Sequence, residues 1–274
     1  MKPVELRKHL KIAVRAAQAA GELMRRNLRA AKRINSATQH DIKLELDVRC
    51  QKLIEKTLRS VFPHIAILGE EGVLGDVEAE QRWVVDPIDG TVNFTYGIPH
   101  FCVSIALQVR QVSGSKSRAP GSSQPDAGYE TVVGVVYDPF CDELWTAIRG
   151  RKAYLNGEII RVSKRRRLDE AIISVGFAKH KSTLNQMVPV LNRLVHRVRK
   201  IRIMGAAALA MTYVASGRMD AYVESGIRLW DIAAGGLILE CAGGDFWREP
   251  MAGEHKYRIM ANNGPLRRKL QTLI

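Results

Sequence analysis

Carboxylates set just after apolar runs are the residues of this sequence with the clearest chemistry. Residues 83–94 read Trp-Val-Val-Asp-Pro-Ile-Asp-Gly-Thr-Val-Asn-Phe. The run Trp83-Val84-Val85 predicts a strand that delivers Asp86 to its end. Pro87 then fixes a turn, because its ring locks φ and removes an N–H. Asp89 follows, and Gly90-Thr91 opens a predicted helix. Two carboxylates on one turn can converge on a point that suits a hard, oxygen-seeking cation. The N–H groups just beyond them, at a helix start, suit a phosphate.

Other acids stand in similar places. Glu70 lies in Gly69-Glu70-Glu71-Gly72, after a predicted strand over 65–68, and Asp231 follows Trp230 at the start of a predicted helix over 232–241. Read alone, two adjacent acids between glycines fit a solvated turn. Asp47, near the start of a predicted helix over 45–60, fits a simple favourable interaction with the macrodipole. Read together, Glu70, Asp86, Asp89 and Asp231 sit at core edges facing a cleft. Their mutual repulsion requires cations. Mg²⁺ answers that need, since carboxylates, water and substrate phosphate complete its shell. Two or more metals can lower the pKa of a water and neutralise phosphate and leaving-group oxygens. No Ser or Cys nucleophile paired with a base is evident, which points to direct attack by water.

Gly69-Glu70-Glu71, the stretch 83–94 and Trp230-Asp231-Ile232-Ala233-Ala234-Gly235 resemble, in order and spacing, the three signatures of the inositol monophosphatase family. The resemblance spans nearly the whole chain. It implies an α+β fold, a layered αβαβα sandwich, usually homodimeric, with Mg²⁺-dependent, lithium-sensitive hydrolysis of phosphate monoesters such as inositol 1-phosphate by a metal-activated water. Carried over by position, Glu70, Asp86 and the Ile88 carbonyl hold a first metal. Asp86, Asp89 and Asp231 hold a second, and Glu70 shares a looser third. Thr91, paired with Asp47, orients and helps deprotonate the water. The N–H groups of Gly90 and Thr91 take the phosphate. Gly205, Ala206, Ala207 and Glu224 match positions that contact substrate hydroxyls, with Asp89 and Asp231 lining the same pocket. Glu224, an acceptor, suits a polyol.

Three departures stand out. Leu44 and Lys43 replace the family's frequent Thr and Val before Asp47, which bears on the third metal and on lithium sensitivity. Ala206 replaces a common Thr beside the substrate, which bears on specificity. Val92-Asn93-Phe94 after Asp-Gly-Thr favours this branch over the phosphoadenosine phosphatases, which tend to carry Lys-Glu-Phe there. Phosphatases of histidinol phosphate, fructose bisphosphate and NADP share the same metal core.

The elements that must position these residues read as one layered unit over 1–274. A helix is predicted over 3–32, loosened at Gly21, and a polar, mobile loop over 73–81. Strands follow over 102–107 and 132–136, separated by a Ser-, Gly- and Pro-rich flexible insertion at 113–129. Next come a strand over 144–148 and a hairpin over 154–160 that turns at Asn156-Gly157. The second half predicts a strand (172–177), a helix (184–198), a strand (201–204), a helix (206–215) and a strand (221–223) leading to Glu224. Helix 232–241, strands 245–247 and 259–261, and a helix over 266–273 complete the chain.

The composition of the 274 residues is that of a globular protein, 46% hydrophobic and 26% charged. No run approaches the roughly 18 apolar residues of a membrane span, and the N-terminus has no signal-peptide pattern. The four cysteines, Cys50, Cys102, Cys141 and Cys241, lack metal-ligand spacing and fit free buried thiols in a reducing cytoplasm. The net charge of +14 fits a solvated surface, attraction of anionic substrates, or contact with nucleic acid or the transcription machinery. No aromatic interleaving accompanies the basic clusters.

Overall fold

A computed structural model of the chain describes residues 3–30, 34–37, 42–111, 128–177 and 181–274. The first half contains α1 (Pro3–Asn27), β1 (Ile34–Ala37), β2 (Ile42–Leu44), α2 (Glu45–Arg59), β3 (Ala66–Gly69), β4 (Gly72–Leu74) and β5 (Gln81–Asp89). The short helix α3 (Thr91–Thr95) follows, then β6 (Cys102–Arg110), β7 (Tyr129–Asp138), β8 (Glu143–Ile148), β9 (Tyr154–Leu155) and β10 (Glu158–Ile159). The second half runs β11 (Ile172–Val175), α4 (Lys181–Val195), β12 (Lys200–Arg202), α5 (Ala207–Ala215), β13 (Ala221–Arg228), α6 (Leu229–Cys241), β14 (Asp245–Pro250), β15 (Lys256–Asn262) and α7 (Arg267–Gln271).

Two sheets organise these elements: an eight-stranded one in the order β10-β9-β8-β7-β6-β5-β3-β4, and a five-stranded one in the order β12-β11-β13-β15-β14. Alternation along the strands decides what each face meets. Trp83, Val85, Ile105, Val133 and Val135 join Ala13, Ala17, Met24, Cys50 and Ile54 in a core under α1 and α2. Their neighbours Val84, Ala106 and Val136 point the other way, into a core with α5 and α6. Both of those helices are apolar nearly all round because they lie between two sheets. The far face of the second sheet packs Ile173, Val175 and Val223 against Met187, Val190, Leu194 and Leu270 of α4 and α7. The result is the five-layered αβαβα sandwich.

Several expectations change. Gly21 does not loosen α1: a Cβ there would stand 2.5 Å from the Tyr137 ring, so the bare backbone lets α1 close onto β7. The stretch after Glu71 is not all loop, since Gly72–Leu74 pairs with β3. The strand carrying Asp86 does not stop there; β5 continues through Pro87 to Asp89, with a register irregularity between the two acids. A bulge tolerates a proline, whose missing N–H costs no ladder bond there. Residue 129 belongs to β7, while 113–127 of the expected insertion lie outside the described residues. Glu224 sits within β13, which runs on to Arg228. Cys50 and Cys102 are buried, but Cys141 is exposed and Cys241 intermediate. The β1–β2 ribbon had no counterpart in the expectations, because strands of four and three residues are too short for alternation to mark them. The hairpin turn does form as expected, with Asn156 and Gly157 both at positive φ.

Candidate active site

The C-terminal end of β5 and the turn after β3 bring the first acids together. β3 runs parallel to β5, and the Glu70 N–H donates to the Val85 carbonyl at 3.1 Å, setting Glu70 beside Asp86. Asp86 is 1% exposed, and its Oδ1 accepts the Ile88 N–H at 3.0 Å. Burial raises its pKa well above the ordinary carboxylate value; the charges of Glu70, Asp89 and Asp231 and a hydrogen bond with Asp231 raise it further.

Asp89 ends β5 and works as a link between elements. Its Oδ1 accepts the Ala207 N–H at 3.1 Å and its Oδ2 the Ala208 N–H at 2.7 Å, so one carboxylate caps the N-terminus of α5. The Cys102 thiol donates to Oδ2 at 3.6 Å. Burial pushes the Asp89 carboxyl up to about 6, while these three donors pull the other way. Asp231 is the third residue of α6, and its Oδ2 accepts the Arg228 N–H at 3.0 Å, which fixes it at the helix start. Ser104 ties the same corner by donating from Oγ to the Trp230 carbonyl at 3.0 Å.

Four acids expected from the sequence thus act on one another electrostatically. Their first contacts, however, are to backbone N–H groups and to one another, and among the described residues no three His, Cys, Asp or Glu side chains stand as a ready metal cage. In donor chemistry the set fits hard divalent cations: every ligating atom is oxygen, and each added positive charge relieves repulsion that burial cannot screen.

Gly90 is left-handed, at φ 96°, and caps α3. A Cβ there would stand 2.9 Å from the His100 carbonyl and 3.2 Å from the Ala206 Cβ, so only glycine lets this turn press against the segment before α5. The helix it opens is only five residues long. Its N–H groups therefore act as individual donors with little macrodipole behind them. The Thr91 hydroxyl donates to the Ile88 carbonyl at 2.9 Å. Asp47 is buried as the third residue of α2, where its Oδ2 accepts the Leu44 N–H at 2.8 Å, so its role at the helix start is real. α3 packs against β2, which brings the start of α2 to the same neighbourhood.

The ties that hold these segments together were not legible in the sequence. The Asn93 side-chain N–H groups donate to the carbonyls of His100 and Met204, both at 2.8 Å, joining the turn after β5 to the chain that leads into α5. Gly205 packs over that amide at φ 77°, and Ala206 is buried beside Gly90. Tyr222 donates from its hydroxyl to Glu224 Oε2. Burial, then the charges of Glu224, Asp89 and Asp231, lift the Tyr222 pKa, which sets Glu224 at the border of the acid cluster. Asn93 lies inside the motif, but nothing local reveals a partner more than a hundred residues away.

An αβαβα sandwich with two buried acids at the end of β5 and two half-buried ones after β3 and at the start of α6 defines a class, and the comparisons agree on it. The profile described as "Inositol monophosphatase family" matches residues 5–114 and 128–272. The chain is 36% identical to the Nus factor SuhB of Escherichia coli K12 over 260 residues, covering 92% of this chain and 89% of that one. It is 38% identical to inositol monophosphatase 2 of Solanum lycopersicum over 241 residues, with 85% and 84% covered. The crystal structure of extragenic suppressor protein SuhB from Bartonella henselae superposes with a TM-score of 0.82 at 33% identity, covering 96% of each chain. This chain belongs to the inositol monophosphatase family, a family of metal-dependent phosphatases.

Proposed function

We propose that the protein is a Mg²⁺-dependent phosphate monoesterase acting on inositol 1-phosphate or a similar small polyol phosphate. The observation that carries the reading is the electrostatics of Asp86: a fully buried carboxyl pressed by three other acids is stable as an anion only beside cations. Glu70, Asp86 and the Ile88 carbonyl would hold one Mg²⁺; Asp86, Asp89 and Asp231 a second; and Glu70 would share a third. Bound there, the metal would supply charge neutralisation of phosphate oxygens and a lowered pKa for water.

The chain's own groups do the rest. The Gly90 and Thr91 N–H groups receive phosphate oxygens, and the absence of a Cβ at Gly90 lets them approach. Thr91 Oγ would turn its own proton from the Ile88 carbonyl to the Asp47 carboxylate as it accepts the proton of the attacking water, so that the proton released by the water ends on Asp47. Asp89 aligns the Gly205-Ala206-Ala207 segment by accepting the Ala207 N–H, and Glu224 accepts a substrate hydroxyl. No protein nucleophile intervenes. A phosphate-release panel of inositol phosphates, histidinol phosphate, fructose bisphosphate and NADP, run with and without Mg²⁺, tests the substrate. Asp86→Asn tests the site: near wild-type turnover at saturating Mg²⁺ would remove it from the mechanism.

A second reading, contact with RNA in a transcription complex, is favoured by where the fold gathers positive charge and by relatives named Nus factor SuhB. Arg166 meets Lys269 through an Nζ bond to the Arg166 carbonyl at 2.8 Å. Arg199 Nε donates to the Asp169 carbonyl at 3.3 Å. Lys200 and Arg202 are exposed along the open edge strand β12. Three basic segments, distant in sequence, so form one face. Arg167 is paired with Asp169 and Glu170, and Arg165 with Asp220.

A further inference from the structure

The Glu224 carboxylate lies in a seat built by two residues outside the three motifs. Tyr222 and Glu224 are two apart on β13 and so share a face of the strand. The Tyr222 hydroxyl donates to Oε2 of Glu224. Just after β11, the strand that pairs with β13, stands Gly176, whose N–H donates to the Val223 carbonyl at 2.9 Å. A Cβ at Gly176 would stand 1.8 Å from Glu224 Oε2, 2.4 Å from its Cδ and 2.8 Å from the Tyr222 oxygen. The carboxylate therefore occupies the volume that any side chain at 176 would fill. This position has no positive φ to explain a glycine, so close approach is the reason for it.

Tyr222 is 3% exposed, which gives its hydroxyl little choice of acceptor and makes the bond to Glu224 a rigid one. A phenol that donates to a carboxylate also keeps the carboxylate an acceptor, and an acceptor-only group recognises donors such as hydroxyls. A glutamate side chain has three rotatable bonds; ordering it at the moment of binding would weaken recognition, and prior fixing avoids that.

We infer that Tyr222 and Gly176 are positioning residues that aim Glu224 at substrate hydroxyls and thereby set the preference for polyol phosphates over phosphate esters without hydroxyls. The inference rests on the phosphatase reading above.

The test compares inositol 1-phosphate with phenyl phosphate, both with Mg²⁺, for wild type, Tyr222→Phe, Gly176→Ala and Glu224→Ala. Tyr222→Phe should raise KM for inositol 1-phosphate about tenfold, the equivalent of one charge-assisted hydrogen bond. Its kcat should change little, and both constants for phenyl phosphate should stay put. Gly176→Ala should shift the same ratio further by displacing the carboxylate. Tyr222→Phe added to Glu224→Ala should have no further effect, since the phenol acts only through the acid. A drop of equal size on both substrates, or additive effects in the double variant, overturns the inference as a structural effect. Wild-type turnover of phenyl phosphate but of no polyol phosphate also overturns it and leaves the phosphatase reading standing. Turnover of neither substrate overturns both. Tyr222→Phe keeps the ring and its packing, so this arm remains decisive should Gly176→Ala fail to fold.

Discussion

Asp86 is held where its own charge is unwelcome, and that tension is measurable. Asp86→Asn removes an anion from a cluster of four without changing side-chain shape. Metal-dependent phosphate release should fall at least about a hundredfold, while the thermal midpoint in metal-free buffer should stay level or rise. A large drop in that midpoint would show instead that the carboxylate is a structural anchor. Asp89 makes the pH dependence explicit. Its carboxyl is raised from 3.8 to about 6 in the fold, so the folded state holds the proton more tightly than the unfolded chain. That contribution is fully present below the unfolded value and is lost as pH rises through about 6, on the order of 3 kcal/mol in all. Metal-free protein should therefore melt at a lower temperature at about pH 7.5 than at about pH 5, and Mg²⁺ should recover most of the difference. Midpoints that ignore Mg²⁺ at the higher pH would argue against cations at these acids.

At the scale of elements, the site is a junction of loops fixed by polar ties. Asn93 is the strongest of these, with two 2.8 Å bonds to carbonyls on separate segments. Asn93→Ala should cost about 2 kcal/mol in urea unfolding, since two buried acceptors lose their donor, and should lower kcat by freeing the Gly90 turn. Unchanged kcat with lowered stability would confine Asn93 to the scaffold. Small residues set the spacing between layers in the same way: at Gly134 a Cβ would stand 2.9 Å from the Ala234 carbonyl, so α6, which carries Asp231, lies directly on β7. Sequence patterning anticipated the helices and most strands, because apolar periodicity reports which face is buried. It erred where a contact between elements mattered: Gly21 served packing rather than flexibility, and Glu224 continued a strand because β15 pairs along it as far as Arg228.

The whole molecule stacks two sheets among three helical layers. Helices α5 and α6 are shared by both sheets, so the inner face of each sheet is uncovered without them. We propose that the chain unfolds as one unit: a single transition with coincident fluorescence and circular dichroism signals is expected, and two separated transitions would divide it into domains. Among the described residues no helix is long and apolar enough to cross a membrane. The basic face along β12 belongs to this scale as well. If it binds RNA, affinity for a single-stranded oligonucleotide should fall steeply with salt, and Lys200→Glu with Arg202→Glu should flatten that slope by about one unit or more. Phosphate release should be unaffected by the pair. No binding at low salt would dismiss the RNA reading.

The sequence by itself determined the family, the layered fold and the acids Glu70, Asp86, Asp89 and Asp231. Motif residues are adjacent or at fixed offsets along the chain, and burial patterns repeat with the period of each element. Tertiary structure alone decided what meets two of the site's acids: Asp89 the start of α5, and Glu224 the open space at Gly176. These partners come from strands and turns that meet only when the sheets stack, and a hydrogen bond across that distance in sequence leaves no local pattern. The sequence marked which acids are candidates for the chemistry; the packing decided which way they point.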